Sequence, residues 1–193
     1  MKRYFGILYV LAICLAGSDV LAAGLQNAPE FSADVVMQTQ GRVMQSKMFI
    51  SHEKIRTETM GQIMIIRKDL NVMWMVMPQG NMYMEQPIDP NALTRTSQTM
   101  PGETERVPMG KEVIDGKPAD KFKITYNAGR GPTTVFQWIG EKQVPVKMQS
   151  EDGQWEVDYK NIQFGPQDAS LFEVPEGSQK MQIPAMGNQT DGQ

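Results

Sequence analysis

Apolar residues alternate with period two over short runs of this chain, and polar turn residues separate the runs. The clearest run is Val72-Met73-Trp74-Met75-Val76-Met77, followed by a Pro78-Gln79-Gly80 turn and Met82-Tyr83-Met84. Successive side chains of a strand point to opposite faces, so Met73, Met75 and Met77 share one face and Val72, Trp74 and Val76 share the other. A strand that is apolar on both faces needs a covering layer or an apolar ligand on the second face.

Similar runs predict a succession of short antiparallel strands with hardly any helix. They cover residues 31–38, 42–50, 54–59, 62–67, 72–77, 82–84, 111–114, 119–126, 133–139, 144–150 and 154–159. Asp115-Gly116 is the strongest hairpin turn signal. Asp89 and Pro90 have the pattern of a helix start, and residues 96–108 read as an irregular excursion. The pattern is typical of a mainly β domain, as a sandwich, a closed barrel or a strongly curved open sheet.

The two ends of the chain differ from this pattern. Residues 1–23 have the basic start, apolar stretch and small residues of a cleaved signal peptide, which predicts export to the periplasm. Residues 24–177 then form one β domain, in which Leu171 and Phe172 are expected to hold a late segment against the sheet. Residues 178–193 show no periodicity and are predicted to be a disordered tail.

Composition excludes several classes of function. Without residues 1–23 the chain has 17 basic and 21 acidic residues, which does not favour nucleic acid as a partner. The same part has no cysteine, so disulfides and thiolate metal sites are excluded. His52 is the single histidine, and we interpret it as a turn residue. No catalytic residue, metal site or cofactor is therefore predicted, and the protein is expected not to be an enzyme.

The 16 methionines are the residues that most favour a binding function. Methionine is flexible and polarizable, and suits a surface that accommodates apolar ligands. The predicted apolar lining comprises Met44, Met48, Ile63, Ile65, Met73, Met75, Met77, Met82 and Met84. Two alternatives stay open: thioether ligands also select Cu(I), and an apolar sheet face can dock a partner protein as a structural element of the cell envelope.

Several segments together resemble the periplasmic lipoprotein-carrier superfamily of LolA-like and LolB-like proteins. The segments are 47–50, 54–58, the hairpin that contains Trp74 and Tyr83, and residues 110–122, 138, 144–148 and 168–177. The last of these, Asp168 to Gly177, is especially similar to the uncharacterised bacterial family DUF4412. The resemblance covers residues 31 to 177. It implies an incomplete barrel, made of one strongly curved antiparallel sheet with one or two short lid helices, whose concave face holds acyl chains. A monomer that binds a lipid or an acylated protein, with transient contacts to envelope proteins, is the expected outcome.

Overall fold

The computed structural model describes residues 29–88, 102–127 and 131–181. These residues form a single sheet of twelve strands. The strands are β1 (Phe31–Thr39), β2 (Arg42–Ser51), β3 (Lys54–Thr59), β4 (Gln62–Arg67), β5 (Val72–Met77), β6 (Met82–Pro87), β7 (Glu103–Ile114), β8 (Lys117–Asn127), β9 (Pro132–Ile139), β10 (Pro145–Ser150), β11 (Trp155–Phe164) and β12 (Gln179–Lys180).

The sheet consists of two antiparallel meanders, β1 to β6 and β7 to β11, which pairing of β1 with β11 joins into one layer. The order is β12-β6-β5-β4-β3-β2-β1-β11-β10-β9-β8-β7, so the sheet stays open, with β12 and β7 at its edges. Strand β12 pairs with β6 in parallel. The predicted curved, incomplete barrel is therefore confirmed, and the closed barrel and the sandwich are excluded.

Tight turns set the strand register in both meanders. Asp115 and Gly116 have φ values of 48° and 77°, and Ile114 pairs with Lys117. Two consecutive positive φ values match the right-handed twist of a two-residue hairpin, and glycine adopts them without strain. The hairpin predicted at Asp115-Gly116 is confirmed.

One face of the sheet carries a continuous apolar cluster that combines both meanders. Its buried members are Phe31, Ala33, Val35, Met37, Met48, Ile50, Ile55, Ile66, Ile124, Val135, Val144, Met148, Val157 and Tyr159. A single open sheet buries side chains this completely on the side toward which it curls, so we identify this face as the concave, inner face.

The opposite, outer face has a smaller core under β2 to β6. Ile65, Val76 and Phe172 are each 0% exposed, and Trp74 and Leu171 pack against them. Phe172 belongs to the short 3₁₀ segment Ala169–Phe172, which lies on the outside of β3 and β4. The predicted role of Leu171 and Phe172 is confirmed, and this segment is the covering layer that the two-faced strand β5 requires.

Several strands are longer than the sequence pattern indicated, β7 and β11 most of all. β7 begins at Glu103, within the stretch that read as irregular, and β11 continues to Phe164. Gln179–Lys180, at the start of the predicted tail, forms β12. The predicted signal peptide, the helix start at Asp89 and most of the tail lie outside the described residues.

Candidate apolar ligand site

The inner face of β2 and β4 to β6 collects the predicted methionines. Cross-strand register pairs Met75 with Met84 and Met77 with Met82, and it pairs Met73 with Ile66, a member of the inner cluster. In β2 the register places Met44 and Met48 on the same face. All seven methionines of the predicted lining therefore share the inner face.

Most of these methionines are only partly covered. Met48 is 4% exposed, whereas the other six are half-buried, and Met44 and Met73 pack against the inner cluster. The inner face at β4 to β6 is therefore an apolar surface with accessible thioether side chains. Covering such a surface with an apolar ligand removes it from water and is therefore favourable.

Ile63 and Ile65 do not join this group. Ile63 pairs with Val76 and Ile65 pairs with Trp74, which places both isoleucines on the outer face beneath Phe172. The connection of four residues, 68–71, pairs odd-numbered residues of β4 with even-numbered residues of β5. The inner-face residues of β4 are therefore Met64 and Ile66. The four-residue length of the turn is the sequence feature that could have placed Met64 and Ile66, and not Ile63 and Ile65, on the face of the methionines.

Thr57 lies on the inner face between Met48 and Met64, to which it is paired across β2 and β4. It is 7% exposed, and its Oγ1 atom has no hydrogen-bond partner. A buried hydroxyl without a partner costs free energy because it gives up its hydrogen bonds to water.

We expect Thr57→Val to stabilise the protein by about 1 kcal/mol, because valine has nearly the same shape and no polar atom to desolvate. Urea unfolding of the two proteins measures the difference. Thr104→Val is the control, since Thr104 is exposed and its Oγ1 donates to the carbonyl oxygen of Thr125. Equal or lower stability of the Thr57→Val variant would contradict the expectation.

A paired polar cluster occupies the inner face at β7 to β9. The Nε and Nη2 atoms of Arg106 donate to the Glu103 carboxylate at 2.9 and 3.0 Å, and Nη1 donates to Oε1 of Gln137 at 3.3 Å. The guanidinium also lies 5.1 Å from the ring centroid of Phe122. Because Arg106 and Glu103 neutralise each other, this end of the face offers hydrogen-bonding groups without a net charge.

The outer face of β8 to β11 is closed by ion pairs. Trp138 is 3% exposed, between the Nζ atoms of Lys121 at 4.7 Å and Lys147 at 5.6 Å from its ring centroid, and its Nε1 atom donates to Glu112 at 2.7 Å. Lys147 continues to Glu156 at 2.9 Å. These contacts leave no apolar surface at Trp138. The outer face of β8 to β11 therefore offers an apolar ligand less than the inner face does.

His52 is a turn residue with φ of 51°, and its Nδ1 atom lies 2.6 Å from Oε1 of Glu30. Within residues 29–88, 102–127 and 131–181, no group of three or more His, Cys, Asp or Glu side chains is arranged to hold a metal ion. The same residues contain no helix of the length and apolarity needed to cross a membrane.

The family model described as a domain of unknown function, DUF4412, matches residues 25–141 of this chain. The chain belongs to the DUF4412 family. The resemblance inferred from the sequence is thereby confirmed for this family. Comparison with curated protein sequences gave no match.

Solved structures resemble this DUF4412 chain in fold. The MucA/MucB complex of Pseudomonas aeruginosa matches with a TM-score of 0.52 and 13% identity over 87% of this chain and 64% of that chain. The Mycobacterium tuberculosis lipoprotein LppX matches with a TM-score of 0.49 and 15% identity over 81% and 97% of the two chains. LprF of Mycobacterium bovis matches with a TM-score of 0.45 and 12% identity over 85% and 97%. Only the match to the MucA/MucB complex has a TM-score above 0.5, and at 13% identity it shows a likeness of fold alone.

Proposed function

We propose that this protein is a non-enzymatic binding protein of the bacterial periplasm that holds an acyl chain, free or attached to a lipid or protein, on its inner face. The observation that carries the proposal is the row of half-buried methionines that β5 and β6 present there. The outer face of the same two strands is covered by Phe172, so the inner face is where an apolar ligand has room. The proposed lining is Met44, Met48, Met64, Met73, Met75, Met77, Met82 and Met84.

The energetics of such a site need no charged recognition group. Each methylene removed from water contributes about 0.8 kcal/mol, so a chain of a few methylenes suffices for measurable binding. The flexible thioethers adapt to chains of different shape, which favours a broad rather than a narrow range of ligands.

We expect Met75→Asp to weaken binding of a fluorescent fatty acid at least tenfold, because a carboxylate in the middle of the methionine row must be desolvated by the ligand. Fluorescence titration of the mature protein measures the dissociation constant. Met60→Asp is the matched control: it makes the same change at a turn methionine that is 86% exposed.

Met84→Asp repeats the test on the neighbouring strand, and circular dichroism verifies that each variant is folded. If folded Met75→Asp and Met84→Asp variants bind the probe as well as the Met60→Asp variant does, the methionine row is not the binding surface.

Cu(I) binding is a second candidate, favoured by the direct pairing of Met75 with Met84 and of Met77 with Met82, which brings four thioethers together. Titration of the protein with Cu(I) under reducing conditions separates the two. A stoichiometric complex that Met75→Leu and Met84→Leu abolish, while fatty-acid binding persists, would establish copper as the ligand.

A further inference from the structure

A cavity of about 430 Å³ opens where strands β8 and β10 begin and strands β9 and β11 end, away from the methionine row. Its lining combines apolar residues with charged groups at the rim. The lining residues that matter here are Tyr159, Ile162 and Phe164 on the apolar side, and Asp115, Lys117, Glu141 and Lys160 on the polar side. This volume lies within the range of small-molecule sites.

We call this cavity the end cavity. Its apolar side is continuous with the inner face of the sheet. Tyr159 is a member of the inner cluster, and Ile162 and Phe164 pack against that cluster. The Phe164 ring lies edge-on to Phe31, which is 0% exposed, with 6.1 Å between the ring centroids. An apolar chain that leaves the end cavity therefore meets the interior of the curved sheet.

The lysines at the end cavity differ from the other described lysines of β7 to β12 in having no carboxylate oxygen within 4.0 Å of the Nζ atom. Residues 102–127 and 131–181 contain eight lysines, of which five lie within 4.0 Å of a carboxylate: Lys111, Lys121, Lys123, Lys147 and Lys180. The remaining three are Lys117, Lys142 and Lys160. Two of them line the end cavity, and the Nζ atom of Lys142 lies 4.5 Å from the ring centroid of Phe164.

The backbone conformation at the rim of the end cavity also favours a ligand site. Lys142 and Gln143 have φ values of 53° and 62°, and Asn161, in the lining, has a φ of 52°. Left-handed backbone at residues other than glycine is uncommon and costs free energy, and such positions cluster at ligand sites. The register of β11 against β1 also shifts beside Asn161, and bulges of this kind redirect side chains near binding sites.

We propose that the end cavity binds the phosphate-bearing headgroup of an amphiphile, with Lys117, Lys142 and Lys160 around the phosphate and the chain against Phe164 and Ile162. Asp115 and Glu141 at the same rim carry the opposite charge and fit a headgroup that also has an ammonium or hydroxyl group. This inference rests on the proposed function, because it specifies the ligand of the same inner face.

The test compares dihexanoyl phosphatidylglycerol, below its critical micelle concentration, with uncharged dihexanoylglycerol of the same chain length, by calorimetry on the mature protein. We expect the phosphate-bearing probe to bind about tenfold tighter, since charge-assisted hydrogen bonds are the stronger ones. We expect the triple variant Lys117→Gln, Lys142→Gln, Lys160→Gln to lose this preference and to retain binding of dihexanoylglycerol.

The matched control is Lys47→Gln, Lys123→Gln, Lys180→Gln, which removes the same charge from lysines that do not line the end cavity. Equal loss of preference in both triple variants would show a general charge effect and overturn the proposal. Equal binding of the two probes by the unaltered protein would overturn it while leaving acyl-chain binding intact. Binding of neither probe would overturn both, and competition by inorganic phosphate at concentrations similar to those of the lipid would reveal a free-phosphate site instead of a headgroup site.

Discussion

Phe172→Ala is expected to destabilise the protein by about 3–5 kcal/mol, the range measured when a fully buried phenylalanine is truncated in a core. Phe172 is 0% exposed and packs with Ile65 and Val76, which are also 0% exposed. Ile65 and Val76 lie on the outer face of strands β4 and β5. Truncation leaves a cavity over both strands, and the short Ala169–Phe172 segment has little other apolar area with which to hold its place.

Urea unfolding of both proteins measures this effect, and Leu70→Ala is the control. Leu70 is 53% exposed, so removing its side chain should change the free energy of unfolding by no more than about 0.5 kcal/mol. If Phe172→Ala costs as little as Leu70→Ala, the Ala169–Phe172 segment does not stabilise the sheet, and the outer face of β5 would be a second open apolar surface.

The two-faced strand β5 shows how far the sequence predicts this site. Alternation alone indicated that Met73, Met75 and Met77 share a face and that the opposite face needs a cover. Phe172 supplies that cover from nearly a hundred residues along the chain, and only the hydrophobic pair Leu171-Phe172 at the end of a polar stretch signalled it. Alternation could not identify the concave face, because both faces of β5 are apolar.

The register between strands was harder to predict from the sequence than the alternation of side chains within one strand. Ile63 and Ile65 follow the same alternation as the methionines, yet the turn at 68–71 aligns them with Trp74 and Val76. The pairing of β1 with β11 joins residues more than a hundred positions apart, and no local turn encodes it. These long-range contacts decide between an open curved sheet and a closed barrel.

The apolar pattern did not predict the start of β7, for a different reason. Residues 103–106, Glu-Thr-Glu-Arg, have no apolar alternation, because the strand lies at an edge of the sheet. The inner-face positions there hold Glu103 and Arg106, which satisfy each other. A pattern search that relies on apolar residues does not detect a strand that buries an ion pair.

Two arginines of the outer face also hold the Ala169–Phe172 segment, which we call the C-terminal segment, on the sheet. Arg56 donates to the carbonyl oxygen of Leu171 at 2.8 Å, and Arg67 donates to that of Phe172 at 3.3 Å. Arg67 is 7% exposed and also pairs with Asp69 and Glu173. A buried cation with this many acceptors links the sheet to the segment and leaves few donors unsatisfied.

We expect Arg67→Met to destabilise the protein by about 2–3 kcal/mol. Removing one partner of a fully buried ion pair costs about 3–5 kcal/mol, but Asp69 and Glu173 are 31% and 54% exposed and regain water when the arginine is lost. Methionine keeps the apolar stem that packs near Trp74, so the loss reports on the charge and its hydrogen bonds. Lys180→Met, at an ion pair on the exposed sheet edge, is the control and should leave the free energy of unfolding nearly unchanged, because solvent screens this pair.

The pH dependence of the Arg67→Met effect distinguishes the lost pairing with Asp69 from the lost hydrogen bond to the carbonyl oxygen of Phe172. Hydrogen bonds from Arg67 hold the pKa of Asp69 below its ordinary value in the folded protein. The unfolded chain therefore takes up this proton first as the pH falls, so the contribution of Asp69 is complete above about pH 4 and is lost as the pH drops through the folded pKa. Urea unfolding at pH 7 and at pH 3 should show a smaller difference between the original protein and Arg67→Met at the lower pH. A difference that stays constant would mean that the hydrogen bond from Arg67 to the carbonyl oxygen of Phe172, and not the pairing with Asp69, accounts for the stabilising effect of Arg67.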